Sequence, residues 1–409
     1  MAEVKTQTGH TDADYSLEAV PQTARKKFWP MFFIMLGFTF FSASMSVGAK
    51  LGNGLDFSGF VWAVLIGSVI LSVYTGGLGY IGSATGLSLD LLAQRSFGTV
   101  GSFLPSALIS FTQIGWFGVG LAMFAIPAAE VLHVSPWVLI GVAGLCMTSS
   151  AYFGIKGLEI VSYISVPLIA VLGIYSMTTA TVEGGGLVAI FAKNAGSMTL
   201  FGGVGLVMGS FVSGGTATPN FTRFANNNKN AVITTVIAFF LGNALMFAFG
   251  AVGGAFTGKD DIFYVMMAQG LTLPALVVLG ANIWTTADNG LYTSGLGLSN
   301  ITKMPKRPMV LVSGVVGTIT SIWLYNNFIS YLNILNGTLP PLGALIILDY
   351  FRHKENYGPH SVVTRKVNWG SILGVAVGAL VGWGIASVNA MAAACVIYLL
   401  FDRPAKTNA

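Results

Sequence analysis

Residues 29–52 read WPMFFIMLGFTFFSASMSVGAKLG. The apolar run that opens this stretch gives way at Ser42-Ala43-Ser44-Met45-Ser46 to small polar residues, and apolar sequence then resumes. A helix needs about 20 apolar residues to cross a bilayer, so the stretch reads as one span broken in its middle. Backbone freed at membrane depth is tolerated only where it is buried in protein or lines a cavity. A similar interruption recurs at Ser210-Phe211-Val212-Ser213-Gly214-Gly215-Thr216, and Phe41 and Phe211 stand 170 positions apart. Two matched interruptions point to an internal repeat with a site beside them.

The rest of the chain agrees. Of 409 residues, 54% are hydrophobic and only 9% charged, with mean hydropathy +0.74. A soluble domain carries about 25% charged residues, so the composition is that of an all-α polytopic membrane protein. Reading apolar runs against their breaks gives twelve transmembrane helices, at 29–52, 57–82, 99–131, 135–154, 157–180, 197–221, 230–257, 273–299, 308–322, 323–350, 368–386 and 388–402. Five spans per unit is odd, so the second unit inserts inverted, and the expected architecture is a 5+5 inverted repeat plus two C-terminal helices. A single transmembrane domain is expected over 25–402, with repeats at 29–180 and 197–350 and extra helices at 368–402. The tails, 1–24 and 403–409, are expected to be short, cytoplasmic and disordered; the first has no apolar signal core.

Charge placement supports this topology. With both termini cytoplasmic, the outer segments hold only Lys50, Lys193 and Lys259 of the 20 Lys and Arg residues, as the positive-inside rule requires. Arg223 falls in an inner loop on this reading. The charges gather at helix ends and loops instead of forming one basic stripe, which argues against a nucleic-acid partner. Cys146 and Cys395 lie in apolar runs and read as buried thiols without a disulfide. No metal-ligand spacing and no nucleophile–base pair lies in a span, so an enzyme is not expected. Nothing calls for an obligate protein partner beyond the lipid bilayer.

A solute site at mid-membrane needs inward-facing polar groups, because each unpaired one in hydrocarbon costs several kcal/mol. Gln113 and Trp116, three apart on the third span, share a face and suit a flat heterocycle, the indole stacking while the amide reads an edge. They equally suit plain packing and a helix–helix hydrogen bond. Phe211 and Ser213 sit at the sixth-span interruption, where an unwound segment would offer backbone donors and acceptors. The eighth span carries Asn282-Ile283-Trp284-Thr285-Thr286-Ala287-Asp288-Asn289. Asn282, Thr285 and Thr286 fall at i, i+3 and i+4, and with carbonyls of the broken first span would form an all-oxygen cage for a small hard cation such as sodium. The threonines could instead bond their own helix carbonyls. Asp288 could bind substrate, tune the cation site, carry a proton, or lie in water at a helix end. Asn326, Asn327, Asn333 and Asn336, followed by Gly337-Thr338-Leu339-Pro340-Pro341, read as an interrupted tenth span, a gate or a static kink. No Arg or Lys is placed inside a span to pair a carboxylate, which favours a neutral planar cargo.

The strings FTFFSASMSVGAKLGNGL (38–55), FTQIGWFGVGLAMFAIP (111–127), GSFVSGGT (209–216), LGANIWTTADNGLYTSGLGLSNIT (279–302) and WLYNNF (323–328) strongly resemble the nucleobase–cation symporter family, on its cytosine-carrying bacterial branch. The resemblance covers about Ala24 to Asp402 and implies the leucine-transporter-type fold. It implies that Trp116 and Phe211 sandwich a base whose edge bonds Gln113 with Asn282 or Asn289. It further implies a sodium ion between first-span carbonyls near Gly37 and Phe40 and the eighth-span set of the Asn282 carbonyl, Thr285 and Thr286. Sodium-coupled symport of cytosine across the bacterial inner membrane is therefore the expectation. Proton-coupled symport through Asp288 is the alternative.

Overall fold

The computed structural model describes residues 14–153, 155–193, 196–358, 361–384 and 387–402, and among them it contains helices and no strand. Arg403 and Lys406, counted as cytoplasmic charges, and residues 1–13 lie outside the described residues.

The first span is a bent pair. Helix α1 (Phe28–Thr39) and α2 (Ser42–Gly54) meet at 49° across Phe40 and Phe41. The break therefore precedes Ser42–Ser46, which instead open α2. Phe41 is extended (φ −125°, ψ 127°), and the groups it orphans are taken up by a side chain from another span, described below. Next come α3 (Phe57–Thr85), started by the Asp56 cap on the Gly59 N–H, and the short α4 (Leu89–Phe97), started by the Ser88 cap. Then follow α5 (Phe103–Leu132), α6 (Pro136–Tyr152), α7 (Ile155–Glu183) and the short α8 (Leu187–Ala192).

The sixth span corrects the expected interruption. Helix α9 (Leu200–Thr216) runs unbroken through Ser210–Gly215, and the chain loosens only at Ala217–Thr218, before α10 (Pro219–Thr222). The hydroxyls expected to unwind the helix bond back to it: Ser210 Oγ donates to Val207 O and Thr216 Oγ1 to Val212 O. Pro219, lacking an N–H, ends the regular ladder. Helix α11 (Asn228–Val236) continues through a π-helical turn (Ile237–Gly242) into α12 (Asn243–Thr257). After α13 (Ile262–Ala268) and the single turn α14 (Thr272–Pro274), a second π-helical turn leads into α15 (Gly280–Thr302). The last four are α16 (Lys306–Asn326), α17 (Phe328–Arg352), α18 (Trp369–Gly384) and α19 (Ser387–Phe401). Helix α17 runs through Pro340 and Pro341 without the interruption expected there.

Seven helices among the described residues are long and apolar enough to cross a membrane, eight when α1 and α2 count as one span. Helix α15 packs on α5 at the centre, α2 lies along α12, α3 along α9, and α17 against α18 and α19. The N-terminal segment is no loose tail from Asp14 onward: Asp14, Ser16 and Val20 are buried. Arg223, expected in a loop, is wholly buried and donates to the carbonyls of Asp14 (2.7 Å) and Tyr15 (2.8 Å) and to the Tyr292 hydroxyl (2.9 Å). Its donors are thus engaged by this N-terminal strap, by Tyr292 and by the Asn220 carbonyl. Cys146 and Cys395 are free thiols but only half-buried.

Candidate substrate and cation site

Four elements meet around one small cavity: the break contributes Phe38 and Phe41, α5 Gln113 and Trp116, α9 Ser210, Phe211 and Ser213, and α15 Thr286. The i, i+3 spacing on α5 does place Gln113 and Trp116 on one inward face. Gln113 is buried and its Nε2 donates to Ser213 Oγ at 2.9 Å, tying two polar members of the lining together across α5 and α9. Trp116 meets Phe41, Phe328 and Tyr331 edge-on, with centroids 5.7, 5.8 and 5.5 Å away. Phe211 meets Phe38 and Phe239 edge-on at 5.4 and 5.5 Å. Each ring is thus propped by other aromatics, which fixes its plane. The cavity is only about 20 Å³, room for roughly one water.

The remaining α15 residues diverge around its axis. Asn282, Asp288 and Asn289 do not line the cavity. Asn282 turns to the break: its Oδ1 accepts from both the N–H and the hydroxyl of Ser42, each at 2.7 Å, and its Nδ2 donates to the Phe40 carbonyl. Asn289 Nδ2 donates to the Thr285 carbonyl of its own helix at 2.9 Å, and its buried Oδ1 has no partner. Asp288 faces α6, away from the expected substrate. It is fully buried, its Oδ1 accepts from Ser150 Oγ at 2.7 Å, and Oδ2 has no partner. That burial removes the reading of Asp288 as a water-exposed helix end. Trp284 Nε1 donates to the same Ser150 hydroxyl at 2.7 Å.

The expected cation ligands lie beside this cavity. Gly37 allows α1 to touch α7 and α15: a Cβ there would stand 2.2 Å from Ser162 Oγ and 3.1 Å from Thr285 Cγ2. Thr285 Oγ1 donates to the Ala281 carbonyl at 3.1 Å and lies 2.5 Å from Ser165 Oγ. Thr286 Oγ1 is buried without a partner. The orphaned Thr286 hydroxyl and the Phe40 carbonyl that Asn282 holds against the same helix are neutral oxygens, a chemistry that fits a small hard cation. The sequence reading missed Ser162 and Ser165, though their i, i+3 spacing was visible, and missed the props Phe38, Phe239, Phe328 and Tyr331, whose role depends on contacts between distant spans.

A family model for permeases for cytosine/purines, uracil, thiamine and allantoin matches residues 19–402. The chain belongs to that family. The permease is 50% identical over 397 residues to the cytosine permease of Escherichia coli strain K12, covering 96% of this chain and 94% of that one. It is 23% identical to the hydantoin permease of Microbacterium maritypicum over 80% of this chain and 76% of that one. Its fold is that of a nucleobase-cation-symport-1 family transporter solved in a closed conformation with bromovinylhydantoin bound: TM-score 0.80 at 19% identity, covering 94% of each chain. A sodium-coupled sialic acid symporter matches at TM-score 0.70 and 15% identity, over 97% of this permease and 94% of that chain. These relatives are transporters, and the permease, a polytopic membrane protein, is not an enzyme.

Proposed function

We propose that this permease carries cytosine into the cell together with sodium, by alternating access. The observation that carries the reading is the slot between Trp116 and Phe211, edged by the hydrogen-bonded Gln113–Ser213 pair, in a chain half identical to a cytosine permease. Cytosine is neutral and planar with an alternating donor–acceptor edge, and an amide with a hydroxyl can serve either sense. The rings stack on its faces, while Gln113 and Ser213 bond its edge. Sodium sits among the carbonyls of Gly37, Phe40 and Asn282 and the hydroxyls of Thr285 and Thr286, one helix turn from the base. Holding the break against α15 orders both sites, so each ligand favours the other by about 1–3 kcal/mol.

In this reading α6, α15, α18 and α19 also cross the bilayer and give twelve spans, arranged as a 5+5 inverted repeat and two further helices in the bacterial inner membrane, with both termini cytoplasmic. The repeats occupy 29–180 and 197–350 within one transmembrane domain of 25–402. Proton coupling is a second reading, supported by Asp288, whose buried carboxyl has one oxygen without a partner. Uptake of radiolabelled cytosine into proteoliposomes under a sodium gradient, then under a proton gradient alone, separates the two. Sodium-driven accumulation that Thr286→Ala abolishes supports the cage. Proton-driven accumulation whose pH dependence is lost in Asp288→Asn supports the second reading, and no cytosine uptake under either gradient overturns the substrate.

A further inference from the structure

The break at Phe40–Phe41 leaves backbone groups without helical partners in a region with no bulk water, and each such group must be satisfied. The Ser42 N–H opens α2 and the Phe40 carbonyl closes α1. Both are met by one side chain 240 residues away in sequence, Asn282 of α15, which is itself wholly buried. Its carboxamide has two donors and an acceptor oxygen with two lone pairs. Both lone pairs go to Ser42, one to the N–H and one to the hydroxyl, and one donor goes to Phe40. With both lone pairs committed and the side chain outside the cavity lining, the carboxamide is not disposed to read the edge of a base.

We propose that Asn282 is a positioning residue: a clamp that joins the two ends of the broken span to α15 and so sets the direction of the Phe40 carbonyl. The chemistry follows from the groups it touches. A helix C-terminal carbonyl aimed by a fixed amide is preorganised to meet a cation alongside the hydroxyls of Thr285 and Thr286, one turn further along the same helix. Without the clamp the two half-helices are joined through the Phe40–Phe41 linker, and the carbonyl is free to turn away. The Asn282 side chain then acts on cation binding through backbone geometry and leaves the affinity for the base to Gln113, Trp116, Phe211 and Ser213. The sodium part of this statement rests on the cation reading above; the clamp itself does not.

The test is hydrogen exchange on the purified full-length permease, resolved to the segment 38–46 by mass spectrometry, for wild type, Asn282→Ala and Asn282→Asp. The aspartate keeps an acceptor for Ser42, so its Ser42 amide stays within about threefold of wild type, whereas the alanine variant exchanges at least tenfold faster. Should the alanine variant not fold, Asn282→Ser, equally too short to reach the break, is expected to give the same acceleration. Unchanged exchange in a folded short variant overturns the clamp. Equilibrium cytosine binding across a sodium titration gives the second readout. The half-saturating sodium concentration rises at least fivefold in the short variant, while cytosine affinity at saturating sodium stays within twofold. A tenfold loss of cytosine affinity at saturating sodium, with sodium dependence intact, would make Asn282 a reader of the base and overturn the proposal. Wild-type binding without any sodium dependence removes the cation reading, and the exchange result still decides the clamp.

Discussion

Trp116 is the residue on which the proposed base site turns, because three aromatic edges hold its ring in place. Stacking on an aromatic face is worth about 1–3 kcal/mol per base, so Trp116→Ala is expected to weaken cytosine binding roughly tenfold to a hundredfold. Gln113→Ala removes the partner of Ser213 and is expected to cost roughly tenfold through the lost edge contacts. Equilibrium binding of labelled cytosine checks both, with the exposed Trp29→Ala as the control that changes nothing. At this scale the sequence was informative where helical spacing alone decides facing, as for Gln113 and Trp116. It was not informative on α15, where each residue turns about 100° from the last. Asn282, Thr286 and Asp288 sit within seven positions yet face the break, the cavity and α6, and only the neighbours of α15 decide which is which.

Glycine governs the elements. Along the seam of α2 and α12, a Cβ on Gly250 would stand 1.7 Å from Met45 O, one on Gly48 2.3 Å from Phe247 O, and one on Gly52 2.2 Å from Ala251 O. These are backbone atoms, so nothing can swing aside, and the two helices approach as closely as small residues allow in a membrane. Even Gly250→Ala must push the helices apart. Overpacking of this kind costs about 1–3 kcal/mol, and the expected outcome is a clearly lower melting temperature in detergent. Gly141→Ala, with nothing within 4 Å of the added methyl, is expected to melt like wild type. The second half of the broken span, α2, is therefore bound to α12 while its first half, α1, leans on α7. That there is a break was legible from Ser42–Ser46, but its position was not, since Asn282 places it two residues earlier. The sixth span was misjudged for a related reason. Its glycines serve close packing, Gly214 against Phe38 and Gly215 against Thr75, while the Ser210 and Thr216 hydroxyls bond their own helix and Ser213 accepts from Gln113.

Across the whole molecule, α16 connects two polar networks that lie at its opposite ends, about 29 Å apart for 19 residues of helix. At one end Lys306 pairs with Asp14 of the N-terminal strap and lies 4.6 Å over the Tyr292 ring, beside the buried Arg223. Removing one member of a buried pair costs about 3–5 kcal/mol. Asp14→Ala is thus expected to release the strap, seen as faster protease cleavage ahead of α1 and a lower melting temperature. At the other end Asp261, in the loop before α13, accepts from the Phe263 N–H at 2.9 Å and the Tyr325 hydroxyl at 3.0 Å. Burial is the main cause that pushes its carboxyl up from 3.8 to about 6, partly opposed by those two bonds and by Lys50, and reinforced by Asp260. The sign follows from the raised value. Burial makes the protonated form the one the folded state favours, so its contribution is fully present below about pH 4 and is lost as pH rises through about 6. Because Tyr325 closes α16 just before α17 begins, the junction of these helices is tighter at pH 5 than at pH 7.5. Protection over residues 258–268 and 325–331, hydrogen exchange corrected for the intrinsic pH dependence of the amides, should rise on acidification in the wild type. Asp261→Asn, neutral at every pH, should abolish that difference and hold the low-pH protection throughout; a pH effect on protection that survives in the asparagine variant would assign the response to another group.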